Sequence, residues 1–245
     1  MSVETRSTSV KTSDGTMPVH VARPKAASGK LPAVIVVQEA FGLNANIKQI
    51  AERIAAEGYH AVAPNCYYRE GGKVVGYGEL QDAIGLMLRW TDAQIVADVR
   101  ALVAALESDA SVHADRIGIT GFCMGGRVTY LAACEIPAIR AAVPFYGGGI
   151  AGQQFGPGAS PPVALTKNMK AAIQLHFGDK DSYIPLTAVE EIRQALQREK
   201  KDHEVHVYKG AGHGFFCAER PDYDEAAAAL AWERTKSFFK NHLQS

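Results

Sequence analysis

The stretch Ile117-Gly118-Ile119-Thr120-Gly121-Phe122-Cys123-Met124-Gly125-Gly126 governs how the rest of the chain is read. Residues 116–120 have the composition of a short strand, and residues 125–134 have that of a helix. Cys123 therefore stands where the chain turns from one into the other. The pattern is G-x-S-x-G with cysteine in place of serine. Such a sharp turn needs small flanking residues and lifts its central side chain above the sheet. The helix N-terminus beneath it favours negative charge, and hence the thiolate. Taken alone, the same residues also describe a glycine-rich turn around a buried core cysteine. The strand before and the helix after favour a nucleophile.

Working outward, β-like runs alternate with helix-like stretches almost from end to end. Residues 19–23 read as an early strand. Residues 33–37 form a continuous apolar run suited to a strand buried on both faces. Residues 47–57 carry apolar positions at helical spacing, with Gly58 as a stop, and 60–63 form the next strand, closed by Pro64. A polar, aromatic and glycine-rich loop occupies 65–78. Helical patterning resumes over 81–88 and 92–107. Strands follow at 141–145, 171–177 and 205–208, helices at 186–199 and 224–242, and a Gly/Pro-rich excursion spans 147–162. This alternation predicts one α/β domain over residues 1–245, with a mostly parallel central sheet covered by helices on both faces. In such sheets active groups gather beyond the carboxyl ends of the strands. Glu39, Cys123, Asp181 and His213 all lie there.

Composition narrows the function classes. The 245 residues are 47% hydrophobic and 21% charged, the profile of an ordinary globular protein rather than a disordered one. A chain of this length buries roughly 70% of the surface its unfolded form exposes. Lys plus Arg is 26 and Asp plus Glu is 26, so net charge gives no general attraction to nucleic acid or anionic lipid. No apolar run is long enough to span a membrane. The N-terminal residues lack the basic start and apolar stretch of a secretory signal, which points to the cytoplasm. Cys66, Cys123, Cys134 and Cys217 show no CxxC spacing and no clustered histidines, so neither a disulfide framework nor a metal site is expected.

Two further motifs join the first. Gly178-Asp179-Lys180-Asp181-Ser182-Tyr183-Ile184-Pro185 closes the strand 171–177. Asp179 reads as a turn-capping residue, while the spacing to Pro185 favours Asp181 as the acid of a triad. Gly210-Ala211-Gly212-His213-Gly214-Phe215 follows the strand 205–208 and places a histidine where it can approach a neighbouring loop, as a general base must. Nucleophile, acid and histidine occur in the chain order of the α/β-hydrolase fold. In that arrangement His213 accepts the thiol proton, and Asp181 orients the imidazole and stabilises its cation. Straight after the strand 33–37 comes Gln38-Glu39-Ala40-Phe41-Gly42-Leu43-Asn44, where the fold takes one oxyanion-hole donor. The backbone N–H groups of Ala40 and Met124 are the expected pair. A glutamate here is unusual, because negative charge beside an oxyanion opposes catalysis unless it is neutralised or moves away.

Together Q-E-A-F-G-L-N, G-F-C-M-G-G, G-D-K-D-S-Y-I-P and G-A-G-H-G-F resemble the dienelactone hydrolase (carboxymethylenebutenolidase) family, over nearly the whole chain. The resemblance implies an α/β-hydrolase fold, a Cys123–His213–Asp181 triad, no metal or organic cofactor, and a small lactone or ester as substrate. It also implies that Glu39 contacts the resting cysteine and helps deprotonate it when substrate draws it from an arginine. The chain departs from the family where that arginine is expected, four residues after the histidine. Cys217 stands there, and Arg220 follows three residues later. The region matching the second carboxylate-binding arginine, residues 76–81, holds no Arg or Lys. Arg69, Lys73 and Arg89 are the possible substitutes. Tyr146, Phe41, Arg69, Cys217 and Arg220 form the candidate substrate-contacting set. With both arginines displaced, the expectation is a weaker preference for carboxylated lactones, uncharged esters or lactones also being accepted. Two rival readings are a silent hydrolase scaffold kept for binding, and a redox-sensing thiol with Cys217 as resolving partner. An intact acid and histidine weigh against the first.

Overall fold

The computed structural model describes residues 1–152 and 159–244. Eight strands form one sheet in the order β1-β2-β4-β3-β5-β6-β7-β8. Their spans are β1 Val3–Lys11, β2 Thr16–Pro24, β3 Leu31–Val37, β4 His60–Pro64, β5 Val112–Phe122, β6 Ile139–Phe145, β7 Ala172–Gly178 and β8 His203–Tyr208. β1 and β2 pair antiparallel, β2 meets β4 antiparallel, and all pairings from β4 through β8 are parallel. Six α-helices are described: α1 Ala45–Ala56, α2 Leu80–Met87, α3 Asp92–Ser108, α4 Met124–Glu135, α5 Leu186–Arg198 and α6 Glu225–Leu243. This is the α/β-hydrolase arrangement that the alternation predicts. No described helix is long and apolar enough to cross a membrane.

The helices cover both faces for reasons visible in β5, whose successive side chains point to opposite sides. At Gly118 a Cβ would lie 2.7 Å from Leu243 and 3.2 Å from Phe239 of α6. At Gly121, three residues on and facing the other way, it would collide with Gly125 of α4. α1 joins α6 on its face, where the Arg53 guanidinium sits 4.3 Å from the Trp232 ring. Capping matches the boundaries: Asn44 Oδ1 accepts from the Ile47 N–H at 3.1 Å, Asp224 Oδ1 from Ala227 at 2.9 Å, and Thr91 with Gln94 forms a capping box.

Register sets up the site. Val37 of β3 pairs with Gly121 of β5, and Phe122 pairs with Phe145 of β6. Phe145 pairs with His176 of β7, and Gly178 with Tyr208 of β8. The residues following these strand ends therefore emerge at one edge of the sheet.

The expected strands and helices are present, with longer limits for several strands. β1 was not anticipated: its residues VETRSTSVK alternate little and are mostly exposed, so no hydrophobic period marks them. The excursion over 147–162 leads into a 3-10 helix over Pro162–Asn168; its residues 153–158 lie outside the described residues.

Candidate active site

Cys123 occupies the turn between β5 and α4 with φ 56° and ψ −116°. Such a conformation costs a non-glycine residue on the order of 1–3 kcal/mol. The surroundings hold it: the Cys123 N–H donates to Phe145 O at 3.1 Å, and its own carbonyl accepts from Gly126 at 2.9 Å and Arg127 at 3.3 Å. Glycines make the turn possible. A Cβ on Gly125 would lie 2.5 Å from the carbonyl oxygens of Val37 and Gln38, and one on Gly126 would collide with Phe145 O. The first turn of α4 thus rests directly on the ends of β3 and β6, leaving the partly exposed Cys123 side chain at the helix N-terminus.

The loops after β7 and β8 supply the acid and the histidine. His213 Nδ1 and Asp181 Oδ2 are 2.8 Å apart, with the His213 side chain 7% exposed and that of Asp181 fully buried. The other carboxylate oxygen of Asp181 accepts from the N–H groups of Tyr183 at 2.8 Å and Ile184 at 3.1 Å. Asp179 does something else: its Oδ1 accepts the Gly210 N–H at 2.6 Å, tying the two loops together. Burial disfavours an imidazolium at His213. The charge on the Cys123 sulfur and hydrogen bonds to Asp181 and Cys123 outweigh it, raising the pKa to about 10. The structure thus brings Cys123, His213 and Asp181 together, with His213 and Asp181 joined by a hydrogen bond.

Glu39 lies fully buried beside these three residues. Its Oε1 accepts from Arg220 Nη1 at 3.1 Å and its Oε2 from the Tyr77 hydroxyl at 3.1 Å. Burial pushes the Glu39 carboxyl above its ordinary range, while the Arg220 charge and the two hydrogen bonds pull it back. The Tyr77 oxygen also accepts from Asn44 Nδ2 at 3.0 Å and from Cys217 Sγ at 3.2 Å. Arg220 lies 5.6 Å from the Phe41 ring centroid. Both Glu39 oxygens are turned to Arg220 and Tyr77, and among the described residues no hydrogen bond joins Glu39 to the Cys123 thiol. Of the cations considered for the site, Arg220 is brought to it, paired with Glu39. Arg220 reaches the site although position 217 is cysteine.

Arg69 does not join the cluster. Its guanidinium binds Asp14 at 2.6 Å and Asp98 at 2.7 Å, clamping the β1–β2 hairpin to α3. The Arg69 assignment to substrate is therefore corrected, because every strong donor direction serves a carboxylate. Arg89 likewise pairs with Glu70 at 2.8 Å. Ala40 and Met124 are buried, and among the described residues neither N–H donates to a protein acceptor. The Tyr146 ring meets His213 edge-on at 5.3 Å, and its N–H donates to His176 O at 2.7 Å. All four cysteines are free. Among the described residues no group of three His, Cys, Asp or Glu side chains is placed to hold a metal ion.

Three contributors escaped the sequence reading, all tyrosines. Tyr77 holds Glu39 from the loop over 65–78, its one sequence signal being an aromatic ring bracketed by Gly76 and Gly78. The Tyr67 hydroxyl donates to Ala40 O at 2.9 Å and lies 3.5 Å from Met124 Sδ, joining the two expected oxyanion-hole segments. Tyr183 sets its ring edge-on to His213 at 5.0 Å, being itself 59% exposed.

The sequence profile of the dienelactone hydrolase family matches residues 17–243. The chain belongs to that family. A Synechocystis protein named "Putative carboxymethylenebutenolidase" is 38% identical over 229 residues, covering 92% of each chain. A Bradyrhizobium protein named "Probable 2-oxo-3-(5-oxofuran-2-ylidene)propanoate lactonase" is 36% identical over 227 residues, covering 91% of this chain and 89% of that one. Among solved structures, the "Putative Dienelactone Hydrolase" of Klebsiella pneumoniae superposes with a TM-score of 0.90 at 36% identity, covering 99% of this chain and 100% of that one. Membership in the dienelactone hydrolase family makes this chain a hydrolase by family.

Proposed function

We propose that the protein hydrolyses lactones or small activated esters through a Cys123–His213–Asp181 triad. The observation that carries this reading is the Asp181–His213 pair at 2.8 Å set against a cysteine held at φ 56° on a helix N-terminus. His213 takes the thiol proton, or already holds it, and the sulfur attacks the carbonyl carbon. The negative charge that develops on the carbonyl oxygen meets the free N–H groups of Ala40 and Met124. Collapse expels the alcohol oxygen, which His213 protonates, and water then cleaves the thioester by the same base. Asp181 keeps the imidazole oriented and stabilises its cation throughout.

Substrate class follows from chemistry and kinship together. A thiolate is a good leaving group, so it favours substrates whose own leaving group departs easily, such as enol esters. The names of the Synechocystis and Bradyrhizobium relatives refer to unsaturated five-membered lactones of this kind. Glu39, neutralised by Arg220, offers no net charge to the oxyanion. An incoming carboxylate would compete with Glu39 for Arg220 and so free Glu39 as a nearby base. Redox sensing has less support, because Cys217 gives its hydrogen bond to Tyr77 and burial pushes its thiol up.

The test is a screen of purified protein against p-nitrophenyl acetate and a panel of five-membered unsaturated lactones. Turnover lost in Cys123→Ala and in His213→Gln is the expected result. A Cys123→Ala protein that hydrolyses these substrates as fast as the parent would exclude the mechanism.

A further inference from the structure

A cavity of about 350 Å³ opens between residues 147–152 and the start of α5. One wall carries the Tyr183 ring, which flanks the histidine, and the other begins one residue after Tyr146, the second flanking ring. Gly147 follows Tyr146, which meets His213 at 5.3 Å, and Tyr183 on the other wall meets it at 5.0 Å. Neither Ala40 nor Met124 lines it, nor do Glu39 and Arg220. His213 and Cys123 do not line it either, so the cavity lies just beyond the imidazole, with the Tyr183 ring between them.

We propose that this cavity receives the leaving-group side of the substrate and selects an uncharged, apolar alcohol or phenol; the proposal rests on the hydrolase reading above. Geometry of the reaction gives the direction. Sulfur bonds to the carbonyl carbon, the carbon–oxygen bond breaks with its electron pair going to oxygen, and that oxygen takes the proton held by His213. The departing oxygen must then lie within hydrogen-bond reach of the imidazole, and whatever it carries projects past the ring. Lining chemistry gives the class. Ile150, Ile184, Ala188 and Ile192 are buried apolar side chains, and among the described residues Glu191 is the one charged residue on the wall. Such a surface favours apolar groups and repels anions. Ala188 stands on the wall opposite residues 147–152, so a larger side chain there would occupy the cavity.

The experiment compares kcat/KM along two ester series. One varies the leaving group, phenyl acetate against 2-naphthyl acetate; the other varies the acyl chain, phenyl acetate against phenyl hexanoate. Ala188→Trp should lower the naphthyl-to-phenyl ratio at least tenfold and leave the hexanoate-to-acetate ratio unchanged. Thr187→Trp, at an exposed lining position, should do the same if the first variant folds poorly. Glu191→Gln should raise the rate for 4-acetoxybenzoate severalfold relative to its methyl ester. A loss confined to the hexanoate ratio, or no change in either ratio, overturns the proposal. Binding of 2-naphthol to Cys123→Ala, read by naphthol fluorescence, separates the two claims. If the parent turns over no ester while Ala188→Trp still weakens this binding tenfold, the hydrolase reading is wrong and the ligand class stands. If ester turnover depends on Cys123 but both ratios ignore Ala188→Trp, the cavity assignment alone is wrong.

Discussion

Two aspartates two residues apart serve different bonds. Asp181 faces His213 Nδ1 through one oxygen and two backbone N–H groups through the other, whereas Asp179 spends an oxygen on the Gly210 N–H. Replacing Asp181 by Asn keeps the shape and removes the charge that supports the imidazolium. Turnover of p-nitrophenyl acetate should fall on the order of 10³–10⁴-fold, with the thermal midpoint little changed. Asp179→Asn retains an acceptor oxygen for Gly210 and should stay close to the parent rate. Steady-state kinetics of the two variants decide the matter, and a larger loss in Asp179→Asn would reverse the roles. The spacing to Pro185 marked Asp181 in the sequence because the turn geometry is local. Tyr77 and Tyr67 carried no such mark, since their partners Glu39 and Ala40 lie far away along the chain.

At the scale of elements, glycine acts in opposite ways in two helices. Gly125 lies in the first turn of α4, where an added Cβ meets Val37 O and Gln38 O at 2.5 Å, both backbone atoms that cannot swing aside. Gly85 lies exposed in α2, with nothing within 4 Å of where its Cβ would be. Gly125→Ala should therefore cost about 1–3 kcal/mol or more through overpacking and displace Cys123 with it. Gly85→Ala should stabilise by roughly 0.5–1 kcal/mol through reduced freedom of the unfolded chain. Urea unfolding of both variants measures the two signs, and a stabilising Gly125→Ala would mean that α4 does not rest on β3 as described. The same contrast explains which elements were legible. β3 through β7 show as apolar runs because they are buried on both faces. β1 did not show, because an exposed edge strand needs only a partner for its backbone, and β2 supplies one from Val3↔Pro24 to Lys11↔Thr16.

For the molecule as a whole, the site is assembled from segments after four strands plus the loop over 65–78, and Arg220 shows where spacing stops informing. Counting from His213 placed a cysteine where an arginine was sought. The chain then folds back by successive turns, Cys217 N–H to Gly214 O at 3.0 Å and Arg220 N–H to Cys217 O at 3.1 Å. Gly214, at φ 88°, admits the guanidinium, since a Cβ there would sit 2.7 Å from Arg220 Nη1. Arg220 thereby becomes the counter-charge of a fully buried carboxylate. Arg220→Ala should cost about 3–5 kcal/mol at pH 8, because it leaves Glu39 desolvated without its cation. The penalty depends on pH with a definite sign. Burial already raises the Glu39 pKa above 4.5 in the parent, and losing Arg220 raises it further. A group whose folded pKa exceeds its unfolded value favours the fold below the unfolded pKa and loses that contribution as pH rises. The difference in unfolding free energy between parent and Arg220→Ala should therefore be small near pH 5 and grow toward pH 8. In a Glu39→Gln background the same substitution should cost roughly 1 kcal/mol or less, because no buried charge is left without its counter-ion. Urea titrations of the four proteins at both pH values measure this. A penalty that stays flat with pH, or persists in the Glu39→Gln background, would mean that Arg220 supports the fold by some route other than Glu39.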